Sequence, residues 1–246
     1  MDNYIFGIRP LLESLDSGQK PEKVLIQQGL AGDTFQQLFA KIRALKVPFQ
    51  HVPSARMNKI TNKNHQGVIA IMPVIEYHSL ETILPGIFES GETPLLVLLD
   101  GVTDVRNMGA IARTAECAGV HALILPEKGG APVNADAVKA SAGALSRIPV
   151  CRENNLLQAI AFIKECGIRL IALDDRAQTS LYETKLTSPL AVIMGAEDKG
   201  VSAAVRKLSD SCVSIPMKGH IASLNVSVAT GIVVFETQRQ RTHQSI

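Results

Sequence analysis

Tryptophan is absent from the 246 residues, and aromatic side chains supply only 4% of them. The core must therefore be built from Val, Ile, Leu and Ala. Also missing is any apolar run near the roughly 18 residues that cross a bilayer. The longest candidate, Leu95–Leu99, stops at Asp100 and suits a buried strand. The N-terminal segment carries Asp2 and no apolar stretch, so it does not read as a secretory signal. No CxxC pair occurs; Cys117, Cys151, Cys166 and Cys212 are scattered. They are expected to be reduced, buried thiols of a cytoplasmic protein without a membrane partner. Equally absent are GxGxxG, the Walker A loop, HExxH and GxSxG, and no His stands at metal-ligand spacing. Standard hydride transfer, NTP hydrolysis and metal hydrolysis lose ground, and no metal site is expected. Asn225-Val226-Ser227 matches a glycosylation sequon by pattern alone.

What is present is ordinary for a globular chain: 46% hydrophobic and 20% charged residues. The length suits one large domain or two small ones. Charge is unevenly spread. Residues 1–76 hold nine Lys/Arg against six Asp/Glu, and no acid falls between Thr34 and Ile75. That stretch carries Lys41, Arg43, Lys46, Arg56, Lys59 and Lys63 with His51 and His65. It suits a phosphate-backbone partner or a solvated basic face.

The spacing predicts a small αβ unit over residues 1–72. Val24–Ile26 is a short apolar run, and a helix capped by Asp33 or Thr34 carries Phe35, Leu38, Phe39, Ile42 and Leu45. Strands follow at Phe49–Val52 and Gly67–Met72. Residues 73–94, with Pro73, Pro85, Gly86, Gly91 and Pro94, read as a linker with a short helix around Leu80–Leu84. From residue 95 to 246 strand, loop and helix alternate. Strands are expected at Leu95–Leu99, Ala122–Leu125, Ile168–Leu173, Leu190–Met194 and Val213–Ile215. Helices are expected at Gly109–Ala118, Leu156–Glu165, Val201–Leu208 and Asn225–Gln238. Strands apolar on both faces imply an α/β fold with a mostly parallel sheet covered by helices.

Three polar, glycine-bearing segments stand at the carboxyl ends of predicted strands, the edge where open α/β sheets bind ligands. The first is Asp100-Gly101-Val102-Thr103-Asp104-Val105-Arg106-Asn107, continuing to Arg113. The second is Met194-Gly195-Ala196-Glu197-Asp198-Lys199-Gly200, and the third runs from Ile215 through Gly219, Ser223 and Leu224 to Asn225. Taken singly, Asn107, Ser223 and Asn225 read as helix caps. Arg113 and Glu116 read as a surface helix pair. Glu197 reads as a solvated charge, Gly195 as a strand-exit turn, and Ile215 and Leu224 as core.

Together and in order, the segments resemble the three signature motifs of the SpoU/TrmH family of RNA 2′-O-ribose methyltransferases, within the SPOUT superfamily. Phe6-Gly7-Ile8 and His65-Gln66-Gly67-Val68 resemble the RNA substrate-binding domain that precedes the catalytic domain in one branch. That branch methylates a guanosine of large-subunit (23S) ribosomal RNA. The resemblance implies a SPOUT α/β knot, with a C-terminal trefoil knot, over residues 95–246. It also implies S-adenosylmethionine as cofactor, ribosomal RNA as partner, and a homodimer that completes the active site. By the same resemblance Gly195, Ile215 and Leu224 are cofactor-binding, and Asn107, Arg113, Glu197, Ser223 and Asn225 are catalytic. At Gly195 the missing side chain would let a ligand approach the backbone. The resemblance gives Arg113 a general-base role, yet a guanidinium stays protonated in proteins, which favours a charged clamp. Rival readings are the same chemistry on transfer RNA and a catalytically silent RNA-binding relative. One departure stands out: Val105 replaces the usual Pro before Arg106-Asn107.

Overall fold

The structure, a computed structural model, describes residues 4–221 and 223–243. The chain divides into two compact units, 1–74 and 75–246. Ala222, inside the third polar segment, lies outside the described residues.

The first unit holds β1 (Tyr4–Phe6), α1 (Ile8–Asp16), β2 (Lys23–Gln27), α2 (Asp33–Ala44), β3 (Phe49–Val52), α3 (Ser54–Asn58) and β4 (Val68–Ile71). Its sheet runs β1-β4-β2-β3, with β2 and β3 parallel and the other pairs antiparallel. Every interior position of β2 is buried because both faces are covered. Val24 and Ile26 pack under Leu11, Leu15, Leu38 and Ile42 of α1 and α2, while Leu25 faces Met57 of α3. The three elements unread in the sequence, β1, α1 and α3, are short, and α1 lacks a side-chain cap.

The second unit begins with β5 (Tyr77–His78) and α4 (Leu80–Glu89). The stretch 73–94, read as a linker with a short helix around Leu80–Leu84, contains that helix, which runs on to Glu89, and the two-residue strand before it. Leu80, Leu84 and Ile87 recur at helical spacing and are buried in the core, which outweighs Pro85 and Gly86. There follow β6 (Leu95–Asp100), α5 (Val105–Cys117), β7 (Ala122–Pro126), α6 (Ala135–Ala140), β8 (Val150–Glu153), α7 (Leu156–Glu165), β9 (Arg169–Leu173), β10 (Leu190–Gly195), α8 (Ala203–Leu208), β11 (Ser211–Val213) and α9 (Val226–His243). Two of these, α6 and β8, were unread. The last strand sits two residues earlier than the expected Val213–Ile215.

The seven strands lie in the order β11-β9-β10-β6-β7-β8-β5, and every pairing is parallel. Leu96, Leu98, Ala191 and Ile193 join one core cluster with α4, α7 and α8. The alternate residues Leu95, Val97, Leu99, Val192 and Met194 are also buried, on the side of α5 and α9. Two covered faces explain the unbroken apolar runs. From β6 the chain steps outward through β7 and β8, then crosses to β9 and β10 on the other side. The switch falls between β6 and β10, where Asp100 pairs in register with Gly195. Such a switch point opens a crevice at the carboxyl edge.

Of the four cysteines, all free, only Cys151 is buried; Cys166 and Cys212 are half-buried and Cys117 is exposed. The expectation of four buried thiols fails because Cys117 ends α5 on its solvent side.

Candidate active site at the carboxyl edge of the sheet

The first segment forms the turn from β6 into α5. Asp104, not Asn107, caps this helix: its Oδ1 accepts from the backbone N–H of Arg106 at 2.7 Å and of Asn107 at 3.0 Å. These bonds, the Asn107 one first and then that to the Arg106 side chain, hold the Asp104 carboxyl below its ordinary pKa of 3.8. With its backbone N–H satisfied by Asp104, Asn107 is free to point its amide elsewhere.

That amide joins the other two segments. Its Nδ2 donates to Oε1 of Glu197, and its Oδ1 accepts from Nδ2 of Asn225 at 3.1 Å. Asn225 works twice, since its Oδ1 accepts from the N–H of Ser227 at 2.9 Å and from the Ser227 hydroxyl at 2.6 Å, at the start of α9. Capping and site placement therefore coincide in one side chain.

Gly195 ends β10, and the next residues fold back on it. Ala196 and Gly200 form a bridge, with N–H···O bonds of 3.1 and 2.8 Å in the two directions. A Cβ on Gly195 would lie 2.1 Å from both the Gly200 carbonyl carbon and the Val201 nitrogen. Glycine is required here by the loop's own backbone, a closer reason than ligand approach. The Ser202 N–H donates to Oδ2 of Asp100 at 2.7 Å, tying this loop to the end of β6.

Gly195, Glu197, Ile215, Ser223 and Leu224 line one pocket of about 220 Å³. Leu173, Asp174, Met194 and Met217 also form part of its walls, with charged residues from Asp175 to Arg206. Asp174 is nearly buried and paired with Arg206 at 2.9 Å. Its only signal in the sequence was its place just after a predicted strand.

Arg113 stands apart. Six residues at about 100° each put it about 120° round α5 from Asn107. Its side chain is exposed, and among the described residues it has no hydrogen bond or ion pair to Asn107, Glu197 or Asn225. The surface pair with Glu116, the alternative reading, is not formed; Glu116 approaches Arg147 at 4.0 Å. Seven of the eight singled-out residues thus meet at one carboxyl-edge site, and the eighth faces outward.

Fold and site together define an α/β protein with a mixed polar and apolar ligand pocket at the switch point of a parallel sheet. Residues 94–235 match the SpoU rRNA methylase family, and residues 4–78 match the RNA 2′-O ribose methyltransferase substrate-binding domain. The chain belongs to the SpoU rRNA methylase family. It is 38% identical to the 23S rRNA (guanosine-2′-O-)-methyltransferase RlmB of Photorhabdus laumondii and to that of Escherichia coli K12, in each case over 98% of this chain and the whole of the relative. Among solved structures, the S-adenosylmethionine-bound rRNA methyltransferase of Sinorhizobium meliloti is 27% identical, with a TM-score of 0.61 over 96% of this chain and 86% of that one.

Proposed function

We propose that this protein is an S-adenosylmethionine-dependent methyltransferase acting on the ribose 2′-hydroxyl of a guanosine in 23S ribosomal RNA, in the cytoplasm. The observation that carries the reading is the hydrogen-bonded chain Asn225–Asn107–Glu197 at the rim of the pocket formed by Gly195, Ile215 and Leu224. The relatives named above carry that activity in their names.

The pocket fits the cofactor by its chemistry. Leu173, Met194, Ile215 and Leu224 offer apolar walls to an adenine ring. Four acids (Asp174, Asp175, Glu197, Asp198) against three bases (Arg176, Lys199, Arg206) leave the lining net negative, which favours a sulfonium cation. When bound, S-adenosylmethionine supplies an electrophilic methyl group. Asn107, braced on both sides, orients the ribose, and Ser223 shapes the pocket wall. Such positioning lowers barriers by up to about 7–11 kcal/mol. Arg113 pairs with an RNA phosphate and stabilises the ribose oxygen as the hydroxyl proton passes to solvent water and negative charge develops.

We infer that Arg113 serves the site across a homodimer. It points away from its own chain's Asn107, and α9 exposes Val228 (51%) and Phe235 (52%) seven residues apart on one stripe. A helical apolar stripe left open is suited to a two-fold contact. The first unit is the RNA-binding part. Lys63, within the acid-free stretch, lies 5.6 Å over the Phe6 ring. Changing Lys59 and Lys63 to Glu is expected to weaken RNA binding and flatten its salt dependence.

The test is transfer of labelled methyl from S-adenosylmethionine to total RNA of a strain lacking this gene, with Arg113→Ala alongside. Label in the large ribosomal RNA, lost in the variant, supports the reading. Label in transfer RNA overturns the substrate, and no label with no cofactor binding indicates a silent RNA-binding relative.

A further inference from the structure

The first unit carries an aromatic surface that its own core does not use. Phe49 is 40% exposed, and His51, two residues on, is also exposed. Both project from the same face of β3, the open edge of the sheet. Their rings meet edge to face at 5.7 Å, and Phe39 of α2 meets Phe49 at 5.0 Å, also edge to face. Phe35 stacks behind Phe39 at 5.7 Å and is buried, so the platform is anchored from below. Carbonyls of Pro48 and Val52 accept from the N–H groups of Val24 in β2 and of Gln28 just beyond it. By the alternation of a parallel ladder, Phe49 and His51 turn their backbone polar groups to the free edge. Arg43, one turn beyond Phe39, and Lys46, three residues before Phe49, bring positive charge, and the stretch from Thr34 to Ile75 has no acid.

We propose that Phe49 and His51, braced by Phe39, are a stacking platform for unpaired bases of the RNA, with Arg43 and Lys46 holding the adjoining phosphates. The inference rests on the RNA-methyltransferase reading and assigns this face to substrate recognition. An exposed aromatic pair flanked by cations and free backbone groups suits single-stranded loops, whose splayed bases stack on such rings. A duplex keeps its bases covered and would find only the charges. A protein strand adding to the β3 edge would need neither the exposed rings nor the charge bias.

The absence of tryptophan makes the test direct. A Phe49→Trp variant of the full chain carries a single indole reporter at the platform. It is titrated with a fluorescence-silent RNA oligonucleotide containing an unpaired loop, and with the same length fully duplexed. The loop RNA is expected to quench the indole, while the duplex binds more weakly without quenching. In parallel, Phe49→Ala is expected to weaken loop binding about five- to hundredfold, with an unchanged slope of log K against log salt. Arg43→Ala is expected to lower that slope by about one phosphate's contribution. His51→Ala gives a second reading free of any change at Phe49. An indole unquenched by RNA that the variant binds, or equal loop binding by wild type, Phe49→Ala and His51→Ala, overturns the proposal. Quenching that depends on protein concentration without RNA also overturns it and indicates contact between copies. If wild-type protein neither binds nor methylates RNA, the functional reading itself has failed, an outcome separate from an unquenched indole on a bound RNA.

Discussion

Asn225 donates from Nδ2 to Oδ1 of Asn107 across 3.1 Å, although 118 residues separate them. The bond closes a bridge from the cap of α9 to the first turn of α5, and Glu197 extends it to the loop after β10. One amide thereby reads two others' positions, and its donor and acceptor ends are not interchangeable.

Asn107→Asp replaces the donor facing Glu197 with a second carboxylate oxygen. Single-turnover methyl transfer is expected to fall by about 10²–10³, the range for losing one preorganised donor. Cofactor binding measured by calorimetry should persist. Transfer within threefold of wild type would remove Asn107 from the reacting centre.

Arg113→Lys separates clamp from base. A clamp predicts a partial loss with a pH–rate profile parallel to wild type, because both side chains stay charged at neutral pH. A recovery of most of the rate that climbs steeply with pH would instead favour the base.

Gly195→Ala places a methyl where the Gly200 and Val201 backbone already lies, at 2.1 Å. The loop must open, so cofactor affinity is expected to fall below detection while far-UV dichroism is retained. In α5, Gly109→Ala opposes two effects. Helix propensity favours Ala by about 1 kcal/mol, but the new Cβ would meet that of Ala140 at 2.5 Å. Overpacking of this kind costs about 1–3 kcal/mol, so a lower denaturation midpoint is expected.

Val105 occupies the first position of α5, where the N–H has no intrahelical partner and proline is favoured. The preceding Asp104 already has φ −79° and ψ 124°, the extended region proline demands of its neighbour. Val105→Pro should therefore stabilise by about 0.4–1 kcal/mol, seen as a rise of about 1–4 °C in Tm.

Burial, aided by the carboxylates of Glu153 and Glu81, pushes the Cys151 thiol up from 9.0 to about 12. Above pH 9 the unfolded thiol loses its proton while the folded one keeps it. Stability is therefore expected to fall as pH rises from 9 towards 12, less steeply in Cys151→Ala. At neutral pH a thiol reagent should modify exposed Cys117 first and Cys151 only on unfolding.

Local sequence determined the strands that pack a two-faced sheet, since an apolar run such as Leu95–Leu99 has few other uses. It also determined the motif residues, because their order and spacing carry the family resemblance. Elements whose signal is too short or mixed stayed illegible. β5 has two residues, and β1 and α3 have three and five; α4 is legible only as a short helix around Leu80–Leu84, because Pro85 and Gly86 mask its extension to Glu89. Tertiary structure alone decided which polar groups meet. The adjacency of β6 and β10, with Asp100 beside Gly195, brings Glu197 to Asn107. The cap of α5 passed to Asp104 because its carboxylate reaches two N–H groups, which left the Asn107 amide free for the site. Arg113 turned outward by helical geometry, and Gly195 is dictated by the backbone of Gly200 and Val201 folding against it. Such relations depend on approach between distant segments, and no local pattern encodes a distance.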